Sequence, residues 1–498
     1  MDIFNNLLLG FSVAGDPMNL FYCFIGALLG TVIGVLPGLG PVATMAILLP
    51  ITYYVPPAGA LIMLAGIYYG SQYGGSTTSI LMNMPGEAAS VVTCLDGHQM
   101  ARKGRGGAAL AISALGSFFA GTVATILIAL FSAPLAHVAT QFKSADYFSL
   151  MVFGLIAAVV LSNGSVMKAM PMLLLGLLLG LAGTDVNSGE MRYTFGIEGL
   201  MDGIDFVPVA MGLFGVAEII CNLEERAKGT TINRVGSLWP SREEFRRSIP
   251  AAIRGTGIGS LLGILPGGGA LLASFASYAV EKKISRTPEQ FGQGAVEGVA
   301  GPESANNAGA QTCFIPLLTL GIPPNAIMAL MVGAMMIQGI APGPLVMTQH
   351  PDLFWGIIAS MWIGNIILLV INLPMIGVWV RLLQMPYQML YPAILAFCAI
   401  GVYTLNNSST DLLITAVFGI LGYFFRKVGC EPTPLLLGFV LGPMMEDNLR
   451  RTLLISGGSP MPFIERPISL AFLIASLLVL IVLMLPNIRR TRVDAFRE

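Results

Sequence analysis

This chain has very little charge. Asp, Glu, Lys and Arg make up 11% of its 498 residues, against roughly 25% in an ordinary soluble domain. With 55% hydrophobic residues, it lacks the polar surface that water needs to solvate a protein of this size, and lipid must cover part of it. An all-α polytopic membrane protein is expected, because helices satisfy their own backbone in a bilayer. The net charge is −1, so no basic field invites nucleic acid. Histidine is nearly missing: His98, His137 and His350 stand alone, with no HExxH. The six cysteines are scattered without a CxxC and read as buried free thiols. No Gly-Lys-Ser/Thr follows a glycine-rich loop, so no nucleotide site is expected. Residues 1–17 contain no Lys or Arg. They lack a signal peptide's basic region and read as an interfacial segment ending near Asp16-Pro17.

Hydrophobic runs fill the rest. A full span takes about 20 residues, and several runs are shorter, so roughly 10–12 transmembrane helices plus re-entrant hairpins are expected. Residues 57–70 and 76–95 read as separate segments. One polar stretch, Glu224 to Arg254, carries seven Lys or Arg and is expected to be cytoplasmic. It separates a first membrane repeat (18–222) from a second (255–445), with 223–254 as linker. The last segment (446–498) holds a final helix and a basic tail.

One glycine-proline segment occurs twice. GTVIGVLPGLGP runs from Gly30 to Pro41, and GSLLGILPGGGA from Gly259 to Ala270. The first copy has no Lys or Arg on either flank; the second has Arg246, Arg247 and Arg254 before it and Lys282, Lys283 and Arg286 after it. Each copy has matching signals at both ends, as a re-entrant hairpin would, and the two copies have opposite signals. Asn83-Met84-Pro85 leads to a basic loop, whereas Gly321-Ile322-Pro323 leads to one without Lys or Arg. Opposite signals at equivalent places predict two inverted-topology repeats.

The candidate site follows from these breaks. Pro37, Gly38, Gly40, Pro266, Gly267, Gly268 and Gly269 form turns where a following helix would aim backbone N–H groups at an anion. Gly30/Gly34 and Gly259/Gly263 read as close helix packing. Ser76, Thr77, Thr78 and Ser79 offer four consecutive hydroxyls, one of them a helix N-cap or all of them substrate donors. Asn83 and Thr319 stand near the later breaks. Glu303, Asn306 and Asn307 are expensive at membrane depth and default to function, as ligands of a coupling cation, as a proton carrier at Glu303, or as an interhelical Asn hydrogen bond.

At these motifs the sequence resembles a known family. GVLPGLGPVATMAILLP, YYGSQYGGSTTSILMNMPGEAASVVTCLDGHQMARKGR, GVAGPESANNAGAQTCFIPLLTLGIPP and LGPMMEDNLRRTLLISGGSP are similar to the large membrane subunit of tripartite tricarboxylate transporters. The resemblance implies a multi-pass secondary carrier of the bacterial inner membrane and no catalytic centre. Its partners would be a periplasmic solute-binding protein, a small second membrane subunit and an organic carboxylate anion of the citrate class. It implies no cofactor, and Na⁺ or H⁺ as coupling ion. Re-entrant hairpins grouped this way suggest an elevator-like carrier, with rocking of the two halves as the alternative; other organic acids and a homo-oligomer stay open. A membrane-embedded enzyme or a passive channel is a distant rival.

Overall fold

A computed structural model describes residues 3–36, 40–161, 165–185, 188–224, 235–266, 269–383 and 391–484. Pro37, Gly38, Gly267 and Gly268 lie outside them. The described chain is almost wholly helical, with one two-stranded antiparallel ribbon pairing Gly183–Thr184 with Met191–Arg192. By length and composition, Pro17–Val35, Ala88–Ala139, Phe206–Glu224, Pro351–Asn372 and Ser409–Lys427 can each cross a membrane. Shorter apolar helices, such as Pro41–Tyr54 and Ala326–Ile337, accompany them. The N-terminal segment is the helix Ile3–Ala14, and Asp16 starts the next helix by accepting from the Met18 N–H at 3.0 Å.

Two helix pairs are built alike. Pro17–Val35 lies along Pro57–Met82, and Arg242–Leu262 lies along Glu297–Thr312. In the first pair, a Cβ on Gly26, Gly30 or Gly34 would collide with the carbonyl oxygens of Met63, Ile67 and Ser71. In the second pair, Gly255, Gly259 and Gly263 meet Gly301, Ala305 and Gly309 in the same way. Glycine every fourth residue lines one helix face, and its missing side chain lets backbones touch where lipid supplies no hydrophobic drive. The packing read from Gly30/Gly34 and Gly259/Gly263 is what the structure contains. Pro57–Met82 ends in a left-handed residue, Asn83 (φ 59°), and Phe314–Leu320, the short helix that follows Glu297–Thr312, ends likewise at Gly321 (φ 73°); a proline lies two residues beyond each.

Two sequence expectations change. Pro57–Met82 is one helix, not two segments, and the hydroxyl run sits inside it. Its interior glycines would weaken a helix in water, but with no water to compete the backbone keeps its own bonds. The linker also gives way earlier than expected, because the second arm begins at Arg242, where Ser241 and Glu244 form a reciprocal cap. The arm's base is clamped to its return helix, Gly269–Ile284, by a two-pronged Arg254–Glu281 pair at 2.8 and 2.6 Å.

Two buried carboxylates tie distant helices together. Asp96 accepts from the N–H groups of Gly292, Gly294 and Ala295 (2.7–2.9 Å) and from Tyr278 (2.9 Å). Asp146 is fully buried and accepts from Arg466 at 2.8 and 2.5 Å and from Ser469 N–H at 3.1 Å. Arg466→Met should leave that carboxylate without its cation. Two backbone N–H bonds remain, from Lys143 and Ser469, so the loss should sit near the low end for a broken buried pair, about 3 kcal/mol. Thermal unfolding in detergent checks this, and an unchanged melting temperature would contradict it.

Candidate functional site

Polar side chains converge where Pro57–Met82, Val91–Met100, Gly106–Ala139 and Glu297–Thr312 meet. At the centre is Glu303, fully buried. Ser76 Oγ donates to its Oε2 at 2.5 Å, Ser113 Oγ donates to the same oxygen at 3.2 Å, and Thr93 donates to Oε1. Among the described residues no Lys, Arg or His pairs with it. A buried carboxyl so far from any protein cation needs a proton or a mobile cation to balance its charge.

The neighbouring asparagines join this centre to a second carboxyl. Asn307 Nδ2 donates to Ser117 Oγ at 2.7 Å and to the Glu303 carbonyl at 3.1 Å. Asn306 Nδ2 donates to Glu87 Oε1 at 2.9 Å. With its amide nitrogen turned toward acceptors, Gln72 donates to Glu87 Oε1 at 2.6 Å and to Asn306 Oδ1 at 2.8 Å.

The hydroxyl run divides its work. Ser76 serves Glu303. Thr78 Oγ1 reaches the Val35 carbonyl at 2.9 Å and the Gly34 carbonyl at 3.3 Å, so it holds the end of the first arm just before the Pro-Gly turn. Ser79 donates to Ser90 Oγ at 3.0 Å, and Thr77 bonds back to the Tyr73 carbonyl at 3.3 Å. None of the four is a helix N-cap, which corrects that reading: they lie deep in a continuous helix. Thr319 is buried and bonds back to the Ile315 carbonyl at 2.7 Å. Asn83 is an exposed C-cap. Pro266 is half-buried, and Gly269 starts the second return helix with φ +34°, near Asn325.

Gly40 and Glu87 border a cavity of about 600 Å³. Three α-helix starts reach it: Gly40–Ala43 at the helix Pro41–Leu48, Ile327 at Ala326–Ile337, and Pro432–Thr433 at Thr433–Ile455. The first of these has no side-chain cap, and proline is its first residue. The next N–H groups, on Val42 and Ala43, are therefore the helix's unpaired donors. Helix starts of this kind attract anions. Arg426, paired with Glu218, and the carboxyls of Glu87 and Glu431 complete the polar lining. Phe214, in a π-helical turn at Met211–Val216, closes one wall.

Sequence reasoning missed Gln72, Glu87, Thr93, Ser113 and Ser117. Ser113 and Ser117 carry one visible signal, a four-residue spacing that puts both on one face of an apolar helix. Asp205 and Ser408 cap Phe206–Ala210 and Ser409–Lys427. Glu446–Arg450 and Asp447–Arg451 are ion pairs one helix turn apart (2.7 and 2.8 Å), and Arg450 also grips Asp185. None of the six cysteines forms a disulfide; Cys23, Cys313 and Cys398 are buried, and Cys94, Cys221 and Cys430 are half-buried. Among the described residues no three His, Cys, Asp or Glu side chains cluster as metal ligands.

Residues 20–437 match the tripartite tricarboxylate transporter TctA family. The chain is 56% identical, over its whole length and 99% of the relative, to an uncharacterized 52.8 kDa protein in the TAR-I ttuC' 3' region of Agrobacterium vitis. It is 60% identical, over 48% of its length and 99% of the relative, to an uncharacterized protein in the TAR-II ttuC' 3' region of the same organism. No solved structure matches it.

Proposed function

Because the chain belongs to the tripartite tricarboxylate transporter TctA family, and so is the membrane component of a system completed by a binding protein and a small membrane subunit, we propose that it is a secondary carrier. It takes up carboxylate anions, citrate or another tricarboxylate first, across the bacterial inner membrane, driven by a cation gradient. Other organic acids are the alternative cargo. The observation that carries this reading is the cavity beside Gly40, where three helix starts converge on space for a small polyanion. Glu87, Glu218 and Glu431 line the same space against one guanidinium, Arg426. An anion can bind among three carboxyls only with compensating protons or cations, which favours coupling to a cation over free passage. Glu303, Asn306 and Asn307, one hydrogen-bonded layer behind Glu87, are the place where that cation or proton would act.

The two arm-and-partner pairs support the inverted-repeat reading, since both use glycine every fourth residue against backbone carbonyls. The flanking charges give the pairs opposite orientation. An elevator-like movement is the reading preferred over rocking halves, because both pairs carry a helix break of the re-entrant kind.

The test is uptake of labelled citrate by proteoliposomes holding the chain, its small subunit and the binding protein. Uptake should saturate and collapse with the cation gradient. Ala88→Trp, which fills the cavity from an exposed wall position, should lower it at least about tenfold, a loss of ~1.4 kcal/mol of anion binding. Uptake of every carboxylate tried that ignores the gradient would refute the proposal.

A further inference from the structure

Ser76 and Ser113, both bonded to Glu303, also border a second and much smaller cavity with Tyr73, Thr77 and Asn372. Its volume is about 10 Å³, room for one water-sized occupant. Two of its lining groups have no hydrogen-bond partner: Tyr73 Oη and Asn372 Oδ1. Both residues are deeply buried, at 4% and 5% exposure. The Asn372 amide nitrogen is engaged by the Leu368 carbonyl at 2.9 Å, so it is the acceptor end that is left over. An unpaired acceptor at such depth calls for a ligand.

The hydrogen atoms on the other walls are already committed. The Ser76 hydrogen goes to Glu303 or to the Gln72 carbonyl, that of Ser113 to Glu303, and that of Thr77 to the Tyr73 carbonyl. Ser76, Thr77 and Ser113 therefore present lone pairs to the cavity, as does Asn372. A water molecule can accept from the Tyr73 hydroxyl but has only two hydrogens for four acceptors, whereas a small hard cation is served by the oxygens of all five residues at once. The Glu303 carboxylate, one hydroxyl behind, supplies the balancing charge without filling the space.

We propose that this cavity binds one desolvated monovalent cation of the Na⁺ class, through the oxygens of Tyr73, Ser76, Thr77, Ser113 and Asn372, with Glu303 as counter-charge. The inference rests on the cation-coupled reading above and sharpens it: the ion is a metal cation, and it sits on the Asn372 side of Glu303.

The experiment uses the purified full-length chain in detergent, without carboxylate, and follows its melting temperature against NaCl at constant ionic strength, made up with choline chloride. A bound ligand raises the melting temperature by mass action, so Na⁺ should stabilise saturably and choline should not. Asn372→Ala and Tyr73→Phe should each shift the Na⁺ midpoint upward at least about tenfold. Ser132→Ala, which removes a hydroxyl that is also buried and unpartnered but lies outside the cavity, should leave it in place. If either variant fails to fold, Thr77→Val gives the same reading. Wild-type protein that answers Na⁺ and choline alike, or variants that keep the wild-type midpoint, would overturn the site. Na⁺-driven citrate uptake with an unmoved midpoint would refute the site and keep the carrier. A moved midpoint with no carboxylate uptake would keep the site and refute the carrier.

Discussion

Glu303→Gln is expected to lower gradient-driven uptake at least about a hundredfold, equivalent to ~2.7 kcal/mol, while the protein still folds. Glutamine keeps the shape of the side chain but replaces one acceptor oxygen with a donor. Three hydroxyls, from Ser76, Thr93 and Ser113, point their hydrogens at the carboxylate. With the amide oxygen in the Oε2 position, Ser76 and Ser113 keep their acceptor, and Ser76 also has the Gln72 carbonyl at 2.9 Å. The structural loss should therefore stay near the 1–3 kcal/mol of about one unsatisfied group. The functional loss is larger because the other carboxyl of this network, Glu87, is reached only through Asn306 and does not bond the hydroxyls that surround Glu303. Initial uptake rates in proteoliposomes measure the first effect. Exchange of labelled for unlabelled substrate without a gradient separates lost coupling from lost binding, and Glu303→Asp should recover part of the rate. Gradient-driven uptake within about threefold of wild type would show that Glu303 is not part of the coupling machinery.

Gly30→Leu and Gly259→Leu are each expected to abolish the folded protein. A Cβ at these positions falls on the carbonyl oxygens of Ile67 and Ala305. Those are backbone atoms of the partner helix, which cannot swing aside as a side-chain tip does. The helices would have to separate along their whole glycine face, losing packing that a membrane helix pair cannot replace by hydrophobic drive. Gly257, on the same helix as Gly259, faces open space: a Cβ there would meet nothing within 4 Å. Gly257→Ala should be neutral or stabilise by up to about 1 kcal/mol through helix propensity. Size-exclusion profiles and melting curves of the three variants test the contrast. A Gly259→Leu protein that elutes and melts like wild type would contradict the packing.

The long-range contacts are where sequence reasoning stopped. Ser76 meets Glu303 across 227 positions, Thr93 across 210 and Ser113 across 190. A lone Ser or Thr on an apolar helix ordinarily bonds back one turn, so the spacing of Ser113 and Ser117 marks a face without saying what that face meets. The hydroxyl run was visible, but its glycine-rich approach suggested a helix start. In an apolar setting the same glycines bring the neighbouring backbone close and leave the helix unbroken. Glu87 was overlooked beside Pro85-Gly86 because a carboxyl after a turn ordinarily faces water.

Composition and local pattern suffice for some properties because they are sums over residues or follow from backbone chemistry. Scarce charge requires lipid, clustered proline and glycine mark the two helix ends at Val35 and Leu262, and four-residue glycine spacing sets a face. The sequence alone therefore determined the membrane class, the two Pro-Gly breaks, the glycine seams and, through its motifs, the family. Only the tertiary structure decided which hydroxyls serve Glu303, that Asn306 bridges to Glu87, and that Tyr73 and Asn372 share a cavity with Ser76 and Ser113. Those facts depend on pairing between distant segments. At low dielectric a buried polar group must find a partner somewhere in the fold, and the chain around it does not say where.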